Sequence, residues 1–514
     1  MGYISANYKK AIFDELVYNV TANVSQYYAF ASNPIAYTNG TPTVATDNYD
    51  TTFTNDWQFI FGKKLANSNF APIILNSIWS PNTYYTQYDN TNVNLANSQY
   101  YVITPPSIVG GDYLIFKCIN NANGGPSTRQ PDQLQANTFY KSDGYGWRYI
   151  SSISNENYNN FATNQYAPVY ANTLISSSAS NNAGIDVVVV SNGGIGYSTY
   201  HQGYVQFANS SVIQIQQNAY SVSTYYNNNS IYVYNNNSPT SSQLFYIQNY
   251  VSNSSGNWVY TNSAPNTVNI TPSQSQYIIS PSVVFDTDGS IDPSAYSVIN
   301  TTSNSISQIV VVNPGVNISR ANVSIVSNSH YGVGANAYAI VPPAGGHGSN
   351  PAAELNMKGY AISFNFINSE SNTIPTNVLY NKIGIIKNPN VLNANGSKSS
   401  VNFSSNTFNQ LLYANVSSAI TFPVGSQVEG VTSSSLGTVA FSNSSVIYLT
   451  GDKFFVNNET IVSTTNSSLT TSIAINSGQG QIYARDIIPL YYQNISNVNR
   501  ANAQTEAFKL IIQI

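Results

Sequence analysis

Short runs rich in apolar, aromatic and β-branched residues, bounded by turn residues, recur along most of the chain and read as many short strands. Gln26–Ser32 (QYYAFAS), Trp57–Phe61 (WQFIF), Tyr113–Ile119 (YLIFKCI) and Tyr145–Ile150 (YGWRYI) read as strands. So do Ile185–Ser191 (IDVVVVS), Ser211–Ile215 (SVIQI), Ile309–Val312 and Ile383–Lys387. Asn-Gly, Gly-Gly and Pro-Gly pairs supply the turns between them. Helical periodicity is rare. Its best instance is Asn7–Val24, where Ile12, Leu16, Val17 and Val20 share a face. The fold class expected is therefore mainly β: several antiparallel sheets or sandwiches, few short helices, more than one domain.

Two segments suggest modules. IDVVVVSNGGIGYST (185–199) echoes ISQIVVVNPGVNISRANVSIV (306–326), each an apolar run, a glycine turn and a polar strand. Runs of valine of this kind suit strands buried on both faces. With the Asn-, Tyr- and Ser-dense stretch between them they outline an inserted β domain over 155–345. FPVGSQVEGVTSSSLGTVAFSNSSVIYLTGDKFFVNNETIV, within 400–480, alternates with glycine turns at regular intervals. It predicts a small antiparallel barrel or sandwich with Phe422, Val424, Val428, Val439, Ile447 and Leu449 inside. Residues 1–154, 346–399 and 481–514 then form a core domain around the two insertions.

Composition narrows the function. At 514 residues the chain exceeds one ordinary core. Charged residues are only 7%, against about 25% in globular proteins generally. The net charge of -4 gives no polycationic surface for nucleic acid and no basic segment for an anionic membrane. An Asn- and Ser-rich composition raises the question of disorder, but 41 Tyr and 21 Phe spread along the chain supply apolar surface for folding. An AT-rich coding genome would give the same Asn, Tyr and Ile excess. One cysteine, Cys118, excludes an intrachain disulfide framework and a cysteine-based zinc site, and it reads as a small buried residue on a strand. No apolar run approaches the ~18 residues of a membrane-spanning helix, and MGYISANYKK lacks the apolar core of a signal peptide. Sequons such as those at Asn19, Asn23, Asn253 and Asn317 arise by chance in so Asn-rich a chain.

Four motifs are candidates for chemistry. DTDGSID (286–292) gathers Asp286, Asp288 and Asp292 around a glycine, as a Ca²⁺ loop does, but lacks the glycine and glutamate spacing of an EF-hand. It reads first as a turn-rich acidic loop. GGHGSNPAAEL (345–355) sets His347 among glycines with Glu354 seven residues on. Sequence alone supplies no Ser/His/Asp set and no partner lysine for them. GGIG (193–196) lacks the spacing and βαβ context of a dinucleotide fingerprint. SDGYGWRY (142–149) reads as a turn into a strand, with Trp147 packing and Arg148 pairing or snorkelling, ahead of a sugar-stacking surface. No catalytic, cofactor or metal residue is nominated.

Taken together, YLIFKCINNANGGPST (113–128) and SDGYGWRY (142–149) resemble the dimeric baseplate wedge protein of T-even-type contractile-tailed bacteriophages, above all its versions from cyanophages and other marine myoviruses. In that family an aromatic-K/R-C strand leads to a Gly/Ser/Pro/Thr loop and then to G-D-G-Y-x-W-x-Y. Ser142 stands at the first glycine, while Asp143, Gly144, Tyr145, Trp147 and Tyr149 match. Four further segments resemble the family in order: WSPNTYYTQYD (79–89), GHGSNPAAEL (346–355), NKIGIIKNP (381–389) and the C-terminal 484–514, where Gln504, Thr505 and Glu506 match and Asn494, Ile495 and Arg500 fit loosely.

The resemblance implies a virion structural protein rather than an enzyme. It would sit in the tail baseplate as a homodimer, bind other wedge proteins, be assembled in the host cytoplasm, and take part in the rearrangement that accompanies sheath contraction. His347 and Glu354 become turn and packing residues, and Cys118 a strand residue near the core. The alternative is a tail-associated adhesin recognising cell-surface glycans through the Tyr/Asn-rich insertion or the 400–480 module. A polysaccharide depolymerase needs a carboxylate pair in a groove, and the 21 scattered acidic residues nominate none.

Overall fold

The computed structural model describes residues 4–46, 58–180, 183–197, 283–300, 302–326, 332–367, 370, 373–451, 454–477, 480–487 and 489–514. It also gives the strand backbones at 202–207, 212–216, 230–235, 238–246, 251–252, 258–261, 267–270 and residue 282. The fold is mainly β, with several antiparallel sheets and a closed barrel. Two compact units divide it: Met1–Ile73 with Lys358–Ile514, and Ile74–Met357. The chain thus divides at 73/74 and 357/358, not at the expected 154/155 and 345/346, because the strands at 101–153 share a unit with the six-stranded sheet formed by later segments.

In the first unit, Thr407–Asn409, Phe59–Lys64, Tyr27–Ser32, Val378–Lys387 and Tyr491–Arg500 form one antiparallel sheet in that order. Tyr27–Ser32 is buried along its whole length, so its sequence reads as a continuous apolar run. Gly359–Phe366 pairs with both Phe70–Leu75 and Glu506–Gln513. The helix Ala6–Thr21 starts where Ser5 Oγ accepts from the Tyr8 amide. Its inward face is Phe13, Leu16, Val17 and Val20; Ile12 is 36% exposed, one position out of phase with that stripe.

The six strands Leu412–Val416, Gln427–Gly430, Leu436–Ser442, Val446–Gly451, Thr460–Ser463 and Thr470–Ser477 close into an antiparallel barrel. Its core holds Leu412, Phe422, Val428, Val439, Ile447, Leu449, Phe455, Ile461 and Ile473. Full burial of each large apolar side chain contributes about 1.5–3 kcal/mol. Val424, expected inside, is 47% exposed, because it precedes the turn at Gly425 rather than lying on a strand.

In the second unit, Tyr101–Thr104, Tyr113–Asn121, Tyr145–Ile153 and Phe139–Tyr140 make a four-stranded antiparallel sheet. A six-stranded sheet runs Ala321–Val326, Ser282–Thr287, Ser294–Asn300, Ser305–Asn313, Val187–Ile195, Val333–Ile340. The two echoing segments are therefore adjacent strands of one sheet, Ile309 pairing with Val188. They are not buried on both faces: Val187, Val189 and Val190 are half-buried, and Val312 is exposed. The strand backbones between 202 and 270 form a separate seven-stranded sheet.

The six-stranded sheet and the barrel share one strand order. Labelled a to f along the chain, the open sheet runs f-a-d-c-b-e, and the barrel has the same neighbours with an added e–f ladder that closes it. One apolar core takes residues from all six strands of the open sheet as well. A carboxylate ties the b–c turn to the start of strand e in both, from opposite sides. In the barrel Glu459, just before strand e, accepts from the Thr432 and Ser433 amides at 3.1 and 3.0 Å. In the open sheet Asp288, in the b–c turn, accepts from the Ser319 and Arg320 amides at 2.9 Å each.

Ten of the 13 described non-glycine residues with positive φ are asparagines. Asn tolerates the left-handed region better than other side chains with a Cβ, so it takes most of these left-handed positions.

Candidate functional site

Three apolar strand runs each carry one charge, and the second unit brings those charges together. Phe116 and Cys118 face the aromatic core made by Tyr85, Phe139, Tyr145, Trp147 and Tyr149. Side chains alternate along a strand, so Lys117 points to the other face. Arg148, between Trp147 and Tyr149, is its partner across the ladder. Two cations directly opposite one another repel. Two carboxylates offset this. Asp186 Oδ1 lies 2.9 Å from Arg148 Nη1, and Glu354 Oε1 2.9 Å from Lys117 Nζ.

His347 joins the two pairs. Its Nε2 lies 2.7 Å from Asp186 Oδ2 and its Nδ1 2.7 Å from Glu354 Oε1. Nδ1 also lies 3.2 Å from Lys117 Nζ, so the ring touches both carboxylates and the ammonium. The Gly348 amide donates to Glu354 Oε2 at 2.7 Å, and Arg148 Nε donates to the Ala136 carbonyl at 2.6 Å. The Tyr88 ring lies under the Lys117 ammonium at 3.2 Å and meets the His347 ring edge-on at 5.4 Å. The glycines around His347 are required by space. Gly346 has φ +85°, and a Cβ there would lie 2.1 Å from the Ala179 carbonyl oxygen.

Burial alone would raise the Glu354 carboxyl, but Lys117, His347 and the Gly348 amide hold it far below the usual carboxylate range. Asp186 behaves likewise, His347, Arg148 and Lys117 outweighing its burial. Burial pushes the Lys117 ammonium down against the pull of Glu354. The five ionisable side chains are almost wholly inaccessible, Arg148 the most exposed at 7%. Such an arrangement locks strands and a loop together and presents no reacting group to a substrate.

The other motifs resolve similarly. Trp147 is fully buried, stacked on Tyr145 at 5.4 Å, so it packs rather than offering a ring to a sugar. Asp143 pins the loop after the Cys118 strand, accepting from the Thr128 and Arg129 amides at 2.7 and 2.9 Å. Although burial raises that carboxyl, those amides and Tyr145 bring it below its ordinary value. Trp79 Nε1 donates to Ser127 Oγ in the same loop at 3.2 Å. The DTDGSID carboxylates do not converge: Asp288 binds the Ser319 and Arg320 amides, Asp292 accepts from Thr287 Oγ1, and Asp286 faces Arg320 and Asn322. Among the described residues no three His, Cys, Asp or Glu side chains gather as a metal site, and no helix is long and apolar enough to cross a membrane.

Sequence reading named His347, Glu354, Arg148 and Trp147 but did not connect them, and it missed Lys117, Asp186 and Tyr88. A usable signal existed: in a chain with 7% charged residues, a lone charge inside YLIFKCI, YGWRYI and IDVVVVS marks a buried partner. No protein-family model and no curated protein matches the chain.

Proposed function

We propose that the chain is a structural subunit of a phage tail baseplate wedge, a homodimeric scaffold that links neighbouring wedge proteins and moves with them when the sheath contracts. The observation that carries this is where the resembling segments meet. WSPNTYYTQYD brings Tyr88, YLIFKCI brings Lys117, SDGYGWRY brings Arg148 and GHGSNPAAEL brings His347 and Glu354 to one buried node. The remaining two segments pair as strands, Val378–Lys387 with Tyr491–Arg500, and the motif residues Arg500 and Glu506 form a buried ion pair. Residues that hold a framework in place are what a scaffold family would keep.

Low charge with abundant Tyr and Asn suits large permanent interfaces, since tyrosine is enriched at contacts and amides bond without desolvating a charge. The test is the mass of the purified chain by light scattering after size exclusion, at low and high salt. A dimer that persists in high salt agrees with the proposal. A stable trimer would overturn it in favour of a tail adhesin, and dissociation by salt would remove the amide-interface argument.

A further inference from the structure

The barrel carries a groove whose chemistry the scaffold reading does not use. Leu412, Ala414, Ile447 and Leu449 point into the core, which turns Tyr413 and Tyr448 to the outside. These two tyrosines stand opposite each other in the antiparallel register, ring centroids 4.4 Å apart with planes inclined at 55°. Phe441 packs against Tyr448 at 5.0 Å. A cavity of about 580 Å³ opens beside the tyrosines, and Asn409, Asn476 and Gln481 also line it. Among the described residues that line it, none is charged.

Part of this polar wall is already engaged. Asn409 Nδ2 donates to the Tyr413 hydroxyl at 2.8 Å, Asn476 Nδ2 to Asn415 Oδ1 at 2.7 Å, and the Asn409 amide to Gln481 Oε1 at 2.9 Å. Three groups carry no partner among the described residues: the Tyr448 hydroxyl, Asn476 Oδ1 and Gln481 Nε2. They supply one group that donates or accepts, one acceptor and one donor. An aromatic surface beside mixed donors and acceptors, without charge, complements a ligand with apolar C–H faces and hydroxyl edges. Anionic ligands find no cation here, and a charged peptide would lose hydration without a counter-charge. The volume lies within the range of small-ligand sites, about 300–1,000 Å³.

We infer that this groove binds a short neutral oligosaccharide, the tyrosines packing against pyranose faces while Tyr448, Asn476 and Gln481 bond its hydroxyls. The inference does not rest on the wedge assignment: a scaffold subunit with this groove would contact cell-surface or secreted glycan from the baseplate.

The test is saturation-transfer NMR on the full-length chain with maltotriose, cellotriose and chitotriose at millimolar concentration. At least one is expected to receive saturation and to be competed by its own excess. Tyr448→Ala should weaken that binding about tenfold or more, and the exposed Asn476→Ala several-fold, with unchanged thermal melts. Tyr448→Phe, which keeps the ring, should fall between wild type and Tyr448→Ala. Absence of transfer to all three sugars would overturn the inference, as would binding that is indifferent to both alanine variants. Either result leaves the dimer measurement untouched.

Discussion

Lys117 and Glu354 lie 237 positions apart in the chain, yet their charged atoms meet at 2.9 Å with 0% and 2% of their side chains exposed. A pair so buried is expensive to form and more expensive to break, because removing one partner strands the other charge away from water. What offsets its cost is the rest of the node: His347, Asp186, Arg148 and the Tyr88 ring leave few of its polar atoms without a contact.

Lys117→Met keeps the length of the side chain and removes its charge. It should cost about 3 kcal/mol in urea unfolding followed by tryptophan fluorescence. The double variant Lys117→Met/Glu354→Gln should cost less than the sum of its single changes, since both remove one interaction. Additive losses would mean that the two groups act separately.

Acid should unfold the second unit through the same node. Glu354 and Asp186 ionise at lower pH in the folded chain than the roughly 3.9–4.3 of unfolded carboxylates. The unfolded chain therefore binds more protons below that range, and stability falls as pH falls. The contribution is complete above about pH 5 and is lost on the way down. Urea midpoints measured from pH 6 to 3 should drop, and Glu354→Gln should flatten that slope while lowering the plateau.

Cys118 should be chemically silent in the native protein. Burial pushes its thiol well above the ordinary range, with Asp143 adding to the effect, and its sulfur is inaccessible. An aromatic disulfide reagent should react with less than a tenth of the thiol without denaturant and with all of it in concentrated guanidinium. Prompt native labelling would contradict the placement of this strand.

Glu459 should govern the barrel alone. It is buried and accepts from the amides of Thr432, Ser433 and Val456 and from Ser433 Oγ. Glu459→Ala leaves those donors unmet and should cost about 2–3 kcal/mol. Hydrogen exchange should quicken across 412–477 and stay unchanged in peptides from 74–357.

The sequence was most legible where apolar and aromatic residues run together, as around 27, 113, 145 and 383, where the strands are buried on both faces over most of their length. It was least legible for pairings across distance. Nothing in GGHGSNPAAEL points to Lys117, although the lone lysine in an apolar run was visible. One residue of the helix face was misread: Phe13, not Ile12, joins Leu16, Val17 and Val20, and both suit a hydrophobic stripe. The shared strand order of the barrel and the open sheet left no trace in residue identity: its tying carboxylate is a glutamate before one strand and an aspartate in a different turn.

That shared order gives the two modules a common attachment point. Between strands a and b the barrel has only residues 417–426, whereas the open sheet has 196–281, which include the seven-stranded sheet. One framework thus accepts either a short link or a large payload at the same seam without changing its own strand order. New surfaces can be grafted there and trimmed away while the scaffold beneath keeps its connections.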